Sequence, residues 1–299
     1  MNKSQVFHNI NSVVESVEMT AYEYLWTQKD ASFKTIADLF RKNPNSIPSE
    51  LVNPEIIQDF YPKIQERLKA LDKSSFGIRI NHTIDYPNQL RDATHPIELL
   101  YFKGDWGLVY SNKIVSIVGS RKPSENGIRR TKKLVKMLVE DGYTIMSGLA
   151  EGIDTIAHTT AIEMGGKTIA VIGTPIDQYY PKQNKCLQDK IAQDYLLVSQ
   201  IPFEKYSQQS YKFNRFFFPE RNATMSALSQ ATIIIEAGET SGTLTQARAA
   251  LSQGRKLFIL DNNFKNPDIT WAKRFDKKGA VRLKTYEDFL RNIECISDL

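Results

Sequence analysis

The chain has 299 residues, 41% of them hydrophobic and 24% charged, and this ordinary globular composition excludes a wholly disordered protein. No apolar run approaches the roughly 20 residues that a membrane-spanning helix needs, and the polar residues 1–5 open no signal peptide. Two cysteines, Cys186 and Cys295, are too few for a disulfide framework or a cysteine-rich zinc site. We therefore expect a cytoplasmic protein with no membrane contact and no bound metal.

The net charge of +5 is concentrated in one part of the chain. Residues 1–110 hold 12 basic and 14 acidic side chains, and residues 151–299 hold 19 and 17. Residues 111–150, in contrast, hold 8 basic and only 3 acidic side chains. Such a local excess predicts an anionic partner at one place on the surface.

Residues 1–75 are predicted to form a small helical accessory domain. Apolar residues recur at helical spacing in 36–40 and again in 56–71. Three prolines within 44–54 separate the helices, because proline lacks the N–H that a helix interior needs. The polar stretch 72–75 is the predicted joint to the rest of the chain.

Residues 76–299 are predicted to form an extended Rossmann-like core. Strands are expected at 114–118, 143–146, 168–172, 195–199, 232–235 and 256–260. Helices are expected at 127–140, 153–164, 184–192, 243–253 and 286–296. Strand–helix alternation with nearly continuous valine and isoleucine strands predicts an α/β fold with a doubly wound, mostly parallel sheet. Ligands of such sheets bind beyond the carboxyl ends of the strands.

The first strong strand ends in Gly119-Ser120-Arg121-Lys122, followed by Ser124, Gly127 and a helix. Glycine permits a sharp turn, arginine can donate two hydrogen bonds to a phosphate, and a helix N-terminus attracts anions. The segment therefore predicts a phosphate site, the alternative being a plain turn with surface cations. It matches neither the dinucleotide nor the P-loop motif, so no cofactor is expected.

The helix after this turn carries a run of basic residues: Arg129, Arg130, Lys132, Lys133 and Lys136. Its apolar side requires many of these cations to face solvent. A charge run is often only a solvated helix face. Beside the predicted phosphate site, however, it favours a larger anion such as a nucleic-acid backbone.

Asp154 and His158 are four residues apart on a predicted helix and could form a general-base pair. No nucleophile motif or third metal ligand accompanies them. We therefore interpret Asp154 as support for the helix start and His158 as a hydrogen-bonded structural residue.

Two later segments add aromatic and anion-binding signals. Residues 211–222 interleave four phenylalanines with three cations, a pattern suited to stacking bases and holding phosphates, or else to core packing or an oligomer contact. Lys182 follows a Tyr-Tyr-Pro segment that suits the same chemistry. Ser241, Gly242 and Thr243 open a helix after a buried strand and form a second predicted anion site.

The order of these motifs resembles that of the DprA/Smf DNA-processing family over about residues 76–260. The resemblance rests on the following segments: Gly119-Ser120-Arg121, Ser147-Gly148-Leu149-Ala150, Gly152-Ile153-Asp154, Tyr180-Pro181, Phe218-Pro219, Arg221-Asn222, Glu236-Ala237 and Ser241-Gly242. It implies a homodimeric protein without catalytic turnover that binds single-stranded DNA and assists loading of the recombinase RecA in natural transformation.

Carried over by position, the resemblance implies a phosphate pocket. The implied residues are Ser120, Arg121, Ser124, Gly127, Gly148, Arg221, Asn222, Ser241 and Gly242. We add Gly119, Lys122, Lys182 and Thr243 from the reasoning above, with Arg221 expected to clamp phosphate from across the pocket.

The chain departs from the family pattern at several positions. Ala223, Gln200 and Asp261-Asn262 stand where the family usually has Arg, Glu and Pro-Gly, and no C-terminal winged-helix module appears. An alternative role is therefore a DprA-like component of a phage-defence or toxin–antitoxin pair that restrains a toxic effector. A less favoured alternative is a nucleotide phosphoribohydrolase, in which the position of Gln246 would carry a carboxylate able to transfer a proton.

Overall fold

The computed structural model describes residues 14–70, 76–83 and 85–293. Three N-terminal helices are formed by α1 (Glu15–Thr27), α2 (Phe33–Lys42) and α3 (Pro54–Ala70). The predicted helical character of this segment is confirmed, although the predicted joint at 72–75 lies outside the described residues. Pro62 lies inside α3, within the range 56–71 whose apolar spacing predicts a helix.

The remaining elements include each predicted strand and helix. They are β1 (Gly77–Ile80), β2 (Leu99–Gly104), β3 (Ile114–Val118), α4 (Glu125–Glu140), β4 (Thr144–Ser147), α5 (Ile153–Glu163), β5 (Thr168–Ile172), α6 (Lys185–Asp194), β6 (Leu196–Ser199) and α7 (Phe203–Gln208). They continue with α8 (Tyr211–Asn214), α9 (Phe217–Ala227), β7 (Ala231–Ile234), α10 (Thr243–Ser252), β8 (Lys256–Leu260), α11 (Asn262–Lys265), α12 (Trp271–Asp276), β9 (Val281–Leu283) and α13 (Tyr286–Ile293). The alternation does not predict five of these short helices, α7, α8, α9, α11 and α12. None of the helices within these described ranges is both long and apolar enough to cross a bilayer.

Across the described ranges the strands form one nine-stranded sheet in the order β1-β2-β6-β5-β4-β3-β7-β8-β9. The seven strands from β6 to β9 in this order pair in parallel, and β1 and β2 add an antiparallel edge. The predicted doubly wound, mostly parallel fold is confirmed. The strand–helix alternation does not predict β1, β2 and β9, because β1 and β2 are each followed by a 3₁₀ turn instead of an α-helix and β9 has only three residues.

The central strands are buried on both faces. Val115 and Ile117 of β3 pack in the cluster that contains α4 and α5, whereas Ile114 and Val118 pack in the cluster of α9 and α10. Side chains of a strand alternate between the two faces of the sheet, so α4 and α10 cover opposite faces. Winding reverses between β3 and β7, which makes the carboxyl ends of these two strands the switch point of the sheet.

The N-terminal helices pack directly on the sheet. Trp26 and Phe33 share an apolar cluster with Ile172 of β5 and with Phe217. The rings of Phe33 and Phe217 meet edge-to-face with their centroids 5.9 Å apart. The helical segment and the sheet are therefore joined by a continuous core.

Glu23 of α1 adds a buried polar link to this contact. Its carboxylate accepts the backbone N–H groups of Phe203 and Glu204 at 3.0 and 2.9 Å, at the start of α7, and also accepts the hydroxyl of Tyr101. Burial raises the pKa of Glu23 to about 7, and these hydrogen bonds only partly oppose the shift.

We expect the stability of the fold to depend on pH through Glu23. Because its folded-state pKa lies above the ordinary 4.5, the folded chain holds this proton more tightly than the unfolded chain. Its contribution to the free energy of unfolding should fall by about 3 kcal/mol as pH rises from about 4.5 to about 7. Urea unfolding across this range should show the difference in free energy of unfolding between the wild type and Glu23→Gln falling by that amount, because the other titrating groups are common to both proteins. Glu15→Gln, at an exposed position of the same helix, is the control, and an identical pH profile for Glu23→Gln would contradict the assignment.

Candidate nucleic-acid interface

A crevice opens where the winding of the sheet reverses. The backbone N–H of Ser120, after β3, donates to the carbonyl of Glu236, after β7, at 2.7 Å. The hydroxyl of Thr243, at the start of α10, reaches the carbonyl of Gly119 at 3.4 Å. These contacts bring three loops to the carboxyl edge of the sheet around a cavity of about 300 Å³.

Seven of the predicted site residues line this cavity: Gly119, Arg121, Arg221, Asn222, Ser241, Gly242 and Thr243. The lining also includes Phe218, Asp154 and Gln246. Residues more than a hundred positions apart in the chain are thus brought to one place, as the order of motifs predicts.

The two arginines of the cavity have different environments. Arg121 is exposed and forms no ion pair with any carboxylate in the described part of the chain. Arg221 is buried, and its Nη1 donates to the carbonyls of Gly148 and Val171 at 2.5 and 2.6 Å. Burial lowers the pKa of Arg221 to about 10, with the nearby charge of Asp154 opposing the shift and that of Arg121 adding to it. The guanidinium expected to clamp phosphate is instead bonded to two strand-end carbonyls.

The Arg221 side chain can occupy its position only because residue 148 is a glycine. A Cβ atom at position 148 would overlap Nη1 of the arginine, and the Gly148 carbonyl accepts one of its hydrogen bonds. Gly148 was expected to line a phosphate pocket, but it is buried and provides the space that the arginine occupies.

The N-terminus of α4 is occupied by a carboxylate of the chain itself, that of Glu236. Glu236 accepts the N–H of Ser124 at 2.9 Å and its hydroxyl at 2.6 Å. A Cβ at Gly127 would lie 2.6 Å from the same carboxylate, so the glycine makes room for it. Ser124 and Gly127 therefore surround Glu236, and the prediction that they contact phosphate is replaced by this role. The local sequence pattern does not indicate this role, because Glu236 lies more than a hundred residues away.

The N-terminus of α10 provides the second predicted anion site. Gly242 is exposed, and a Cβ there would meet nothing within 4 Å, so a ligand can approach the backbone closely. The Ser241 hydroxyl accepts the N–H of Thr243 at 3.2 Å, and the side chain of Asn222 donates to the Gly242 carbonyl at 3.3 Å. The positive end of this ten-residue helix thus faces the cavity beside Arg121.

The loop after β4 is held by the motif residues around it. Asp154 accepts the N–H groups of Gly148 and Ala150 at 3.2 and 3.3 Å, and burial raises its pKa to about 6. His158 is fully buried, pairs with the Thr168 hydroxyl at 2.7 Å, and has its pKa lowered by burial to about 3. The interpretation of His158 as a hydrogen-bonded structural residue is confirmed, whereas Asp154 holds the loop before α5 and does not cap the helix start as predicted.

An aromatic segment borders the crevice. The side chains of Tyr211, Phe213 and Phe216, here called the aromatic lip, are 66, 61 and 59% exposed. The Tyr211 and Tyr180 hydroxyls are 3.4 Å apart, and the Tyr180 ring lies 5.3 Å from that of Phe218 in the cavity wall. Interaction with Tyr180 raises the pKa of Tyr211, whereas the positive charge of Arg121 acts to lower it.

Phe217 and Lys182, which were predicted to belong to the same surface, lie outside the cavity and the aromatic lip. Phe217 is buried and packs with the N-terminal helices, as the core alternative anticipates for part of the segment. Lys182 is exposed on the turn after Pro181 and does not belong to the described lining of the cavity.

The fold and crevice define a class of protein: a doubly wound α/β protein with a cationic site at the switch point of its sheet. A family model described as DNA recombination-mediator protein A matches residues 78–294. The DNA processing protein DprA of Streptococcus pneumoniae is 37% identical over 243 residues, which cover 81% of this chain and 83% of that protein. The chain belongs to the DprA/Smf DNA-processing family.

Solved structures agree with this assignment. The X-ray structure of DprA from Streptococcus pneumoniae matches with a TM-score of 0.67 and 31% identity, covering 94% of this chain and 93% of the other. A DprA structure from Helicobacter pylori, described for its single-stranded DNA binding mode, matches with a TM-score of 0.62 and 27% identity. The match covers 74% of this chain and 96% of the Helicobacter pylori chain.

Proposed function

We propose that this protein binds single-stranded DNA through the backbone phosphates, at the crevice between β3, β7 and α10. The observation that carries the proposal is Arg121, an exposed guanidinium without a carboxylate partner among the described residues, next to an open helix N-terminus. A free guanidinium beside N–H donors is the arrangement that proteins use to hold phosphate. The single-stranded DNA binding mode described for the Helicobacter pylori relative supports the same ligand class.

Within this proposal the predicted residues have different roles. Ser120, Arg121 and Lys122 form the turn that meets one phosphate. Residues 241–243 meet another, with the Gly242 N–H and the Ser241 hydroxyl as donors, while Thr243 holds the helix start in place. Gly119 and Asn222 line the wall, and Lys182 adds positive charge outside the cavity. Arg221, Gly148, Ser124 and Gly127 act indirectly, since they hold the loops in place.

The chemistry of the cavity supports binding without turnover. Gln246 is fully buried in the lining and donates through Nε2 to the Thr232 hydroxyl at 3.3 Å. A neutral amide cannot exchange a proton as the carboxylate of a nucleotide hydrolase does. The Asp154 carboxylate, which also lines the cavity, is engaged by two backbone N–H groups. We therefore favour a binding protein over a phosphoribohydrolase.

We further propose that the bound strand is passed to a RecA-type recombinase and that the protein acts as a homodimer. The description of the matching family model as a recombination mediator supports this role over restraint of a toxic effector. The departure at Gln200, where the family usually has Glu, is compatible with this role. Gln200 is buried and accepts a hydrogen bond from the Thr224 hydroxyl, so a neutral side chain fits there.

The Arg121→Ala variant should bind single-stranded DNA at least tenfold more weakly than the wild type, for all sequences alike, because a charge-assisted hydrogen bond to the backbone is lost. The slope of log affinity against log salt should fall by about 0.7 for this one contact. Fluorescence anisotropy with labelled oligothymidylate at several salt concentrations measures both the affinity and its salt slope. Lys42→Ala, at an exposed position of α2, is the charge-matched control. Wild-type affinity of Arg121→Ala would refute the site.

Replacing Phe213 and Phe216 together by alanine should weaken DNA binding about tenfold or more without changing the salt slope, because base stacking is lost while every cation remains. Tyr110→Ala, at another exposed aromatic position, is the control. Light scattering on the same samples tests the alternative that the aromatic lip is a contact between copies of the chain. If the molar mass of the assembly falls while DNA affinity stays unchanged, the aromatic lip is a contact between copies and not a stacking surface.

The recombinase proposal predicts a kinetic effect. The wild-type protein should shorten the lag before RecA hydrolyses ATP on single strands that are coated with single-strand-binding protein, whereas Arg121→Ala should not. A wild-type protein that binds DNA tightly yet leaves the lag unchanged would refute recombinase loading and leave the binding proposal intact.

A further inference from the structure

A second cavity of about 500 Å³ lies at the same edge of the sheet, beyond the carboxyl ends of β8 and β9. One wall is α4, and the others are α11 and the start of α13. The proposed function does not use this cavity, which is here called the α4 cavity. Its volume falls within the range of cavities that hold a small organic ligand or a nucleotide.

The rim of the α4 cavity is cationic. Arg130 and Lys133 reach it from α4, and Lys265 and Lys284 from the opposite side. Arg130, Lys133 and Lys284 form no ion pair within the described ranges of the chain. An excess of positive charge in a concave site attracts anions.

The carboxylates at this rim are already neutralised or engaged. Asp261 pairs with Lys265 at 2.5 Å and with Arg282 at 2.6 Å. Asp288, which is not among the lining residues, accepts the backbone N–H groups of Lys284 and Thr285 at 3.1 and 2.9 Å. An incoming phosphate therefore meets mostly cations at this rim.

The floor of the cavity is apolar. It is formed by Leu134, Met137, Leu260 and Leu283. Asn262, the first residue of α11, donates through Nδ2 to the carbonyl of Ile235, just after β7, at 3.2 Å. A cationic rim over an apolar floor suits a nucleotide, whose phosphate is charged and whose base is largely apolar, better than a simple inorganic anion.

The α4 helix connects the two cavities. It begins three residues after Lys122, and Arg130 and Lys133, spaced by three, share one face of it. At 1.5 Å per residue, about 14 Å of helix separates the N-cap Ser124 from Lys133. A polynucleotide held at Arg121 can therefore follow the helix to the α4 cavity.

The geometry points to the α4 cavity as a second nucleotide site, into which the single strand bound at the Arg121 crevice continues. This inference rests on the proposed function and extends it. Arg130 and Lys133 hold strand phosphates there, while Lys132 and Lys136 of the same helix are exposed but do not line the cavity. Four of the five cations in the basic run of α4 thus divide into a DNA-contacting pair and a solvated pair, and the fifth, Arg129, donates to Asn126.

A length series of oligothymidylates tests this division. Oligomers of about 4 and about 16 nucleotides span the range of single-strand site sizes. The double variant Arg130→Ala/Lys133→Ala should bind the short oligomer like the wild type and the long one about tenfold more weakly. Its salt slope on the long oligomer should be lower by about 1.4, for two lost phosphate contacts. Lys132→Ala/Lys136→Ala, equal in charge and on the same helix, should match the wild type on both.

The outcomes separate the two proposals. Wild-type binding of the long oligomer by Arg130→Ala/Lys133→Ala, or an equal loss in the control variant, overturns the second site and leaves the Arg121 crevice standing. Weaker binding of the short oligomer as well would show that the pair belongs to the first site, and also overturns the inference. A wild-type protein that binds neither oligomer refutes the proposed function itself.

Discussion

The geometry of the crevice depends on Glu236, which holds both ends of one turn. Its backbone carbonyl accepts the N–H of Ser120, and its carboxylate accepts the N–H and hydroxyl of Ser124. The residues between these two anchors, including Arg121, are consequently held in a short turn at the mouth of the cavity. The carboxylate also lies at the positive end of the α4 dipole, so a charge of the chain itself occupies this helix end.

The buried charges below this turn serve the scaffold. Arg221 and Asp154 both lie in the cavity wall, and both bond to the backbone of the loop after β4. Burial shifts each pKa toward the neutral form, and the attraction between the two charges offsets part of the cost. The pair contributes little net charge, so the potential at the crevice mouth is governed by exposed cations. Binding by such cations is sensitive to salt and indifferent to base sequence.

The N-terminal helices participate in the same architecture. They bury Trp26 and Phe33 against the sheet, and Glu23 bonds to the start of α7, the helix that precedes the aromatic lip in the chain. The helical segment therefore supports the sheet face and the segment that leads to the lip. The secondary structure of this segment can be predicted from its apolar spacing, whereas its continuity with the core depends on long-range packing.

The amino-acid sequence by itself determined the doubly wound fold, the order of its motifs and the convergence of Arg121 with residues 241–243. These features follow from local patterns and from the rule that parallel strands place their carboxyl ends at one edge. Only the tertiary structure decided the roles of Arg221, Gly148 and Glu236. Those roles depend on which carbonyl, cation or helix end lies opposite each side chain, and residues distant in the chain supply these partners.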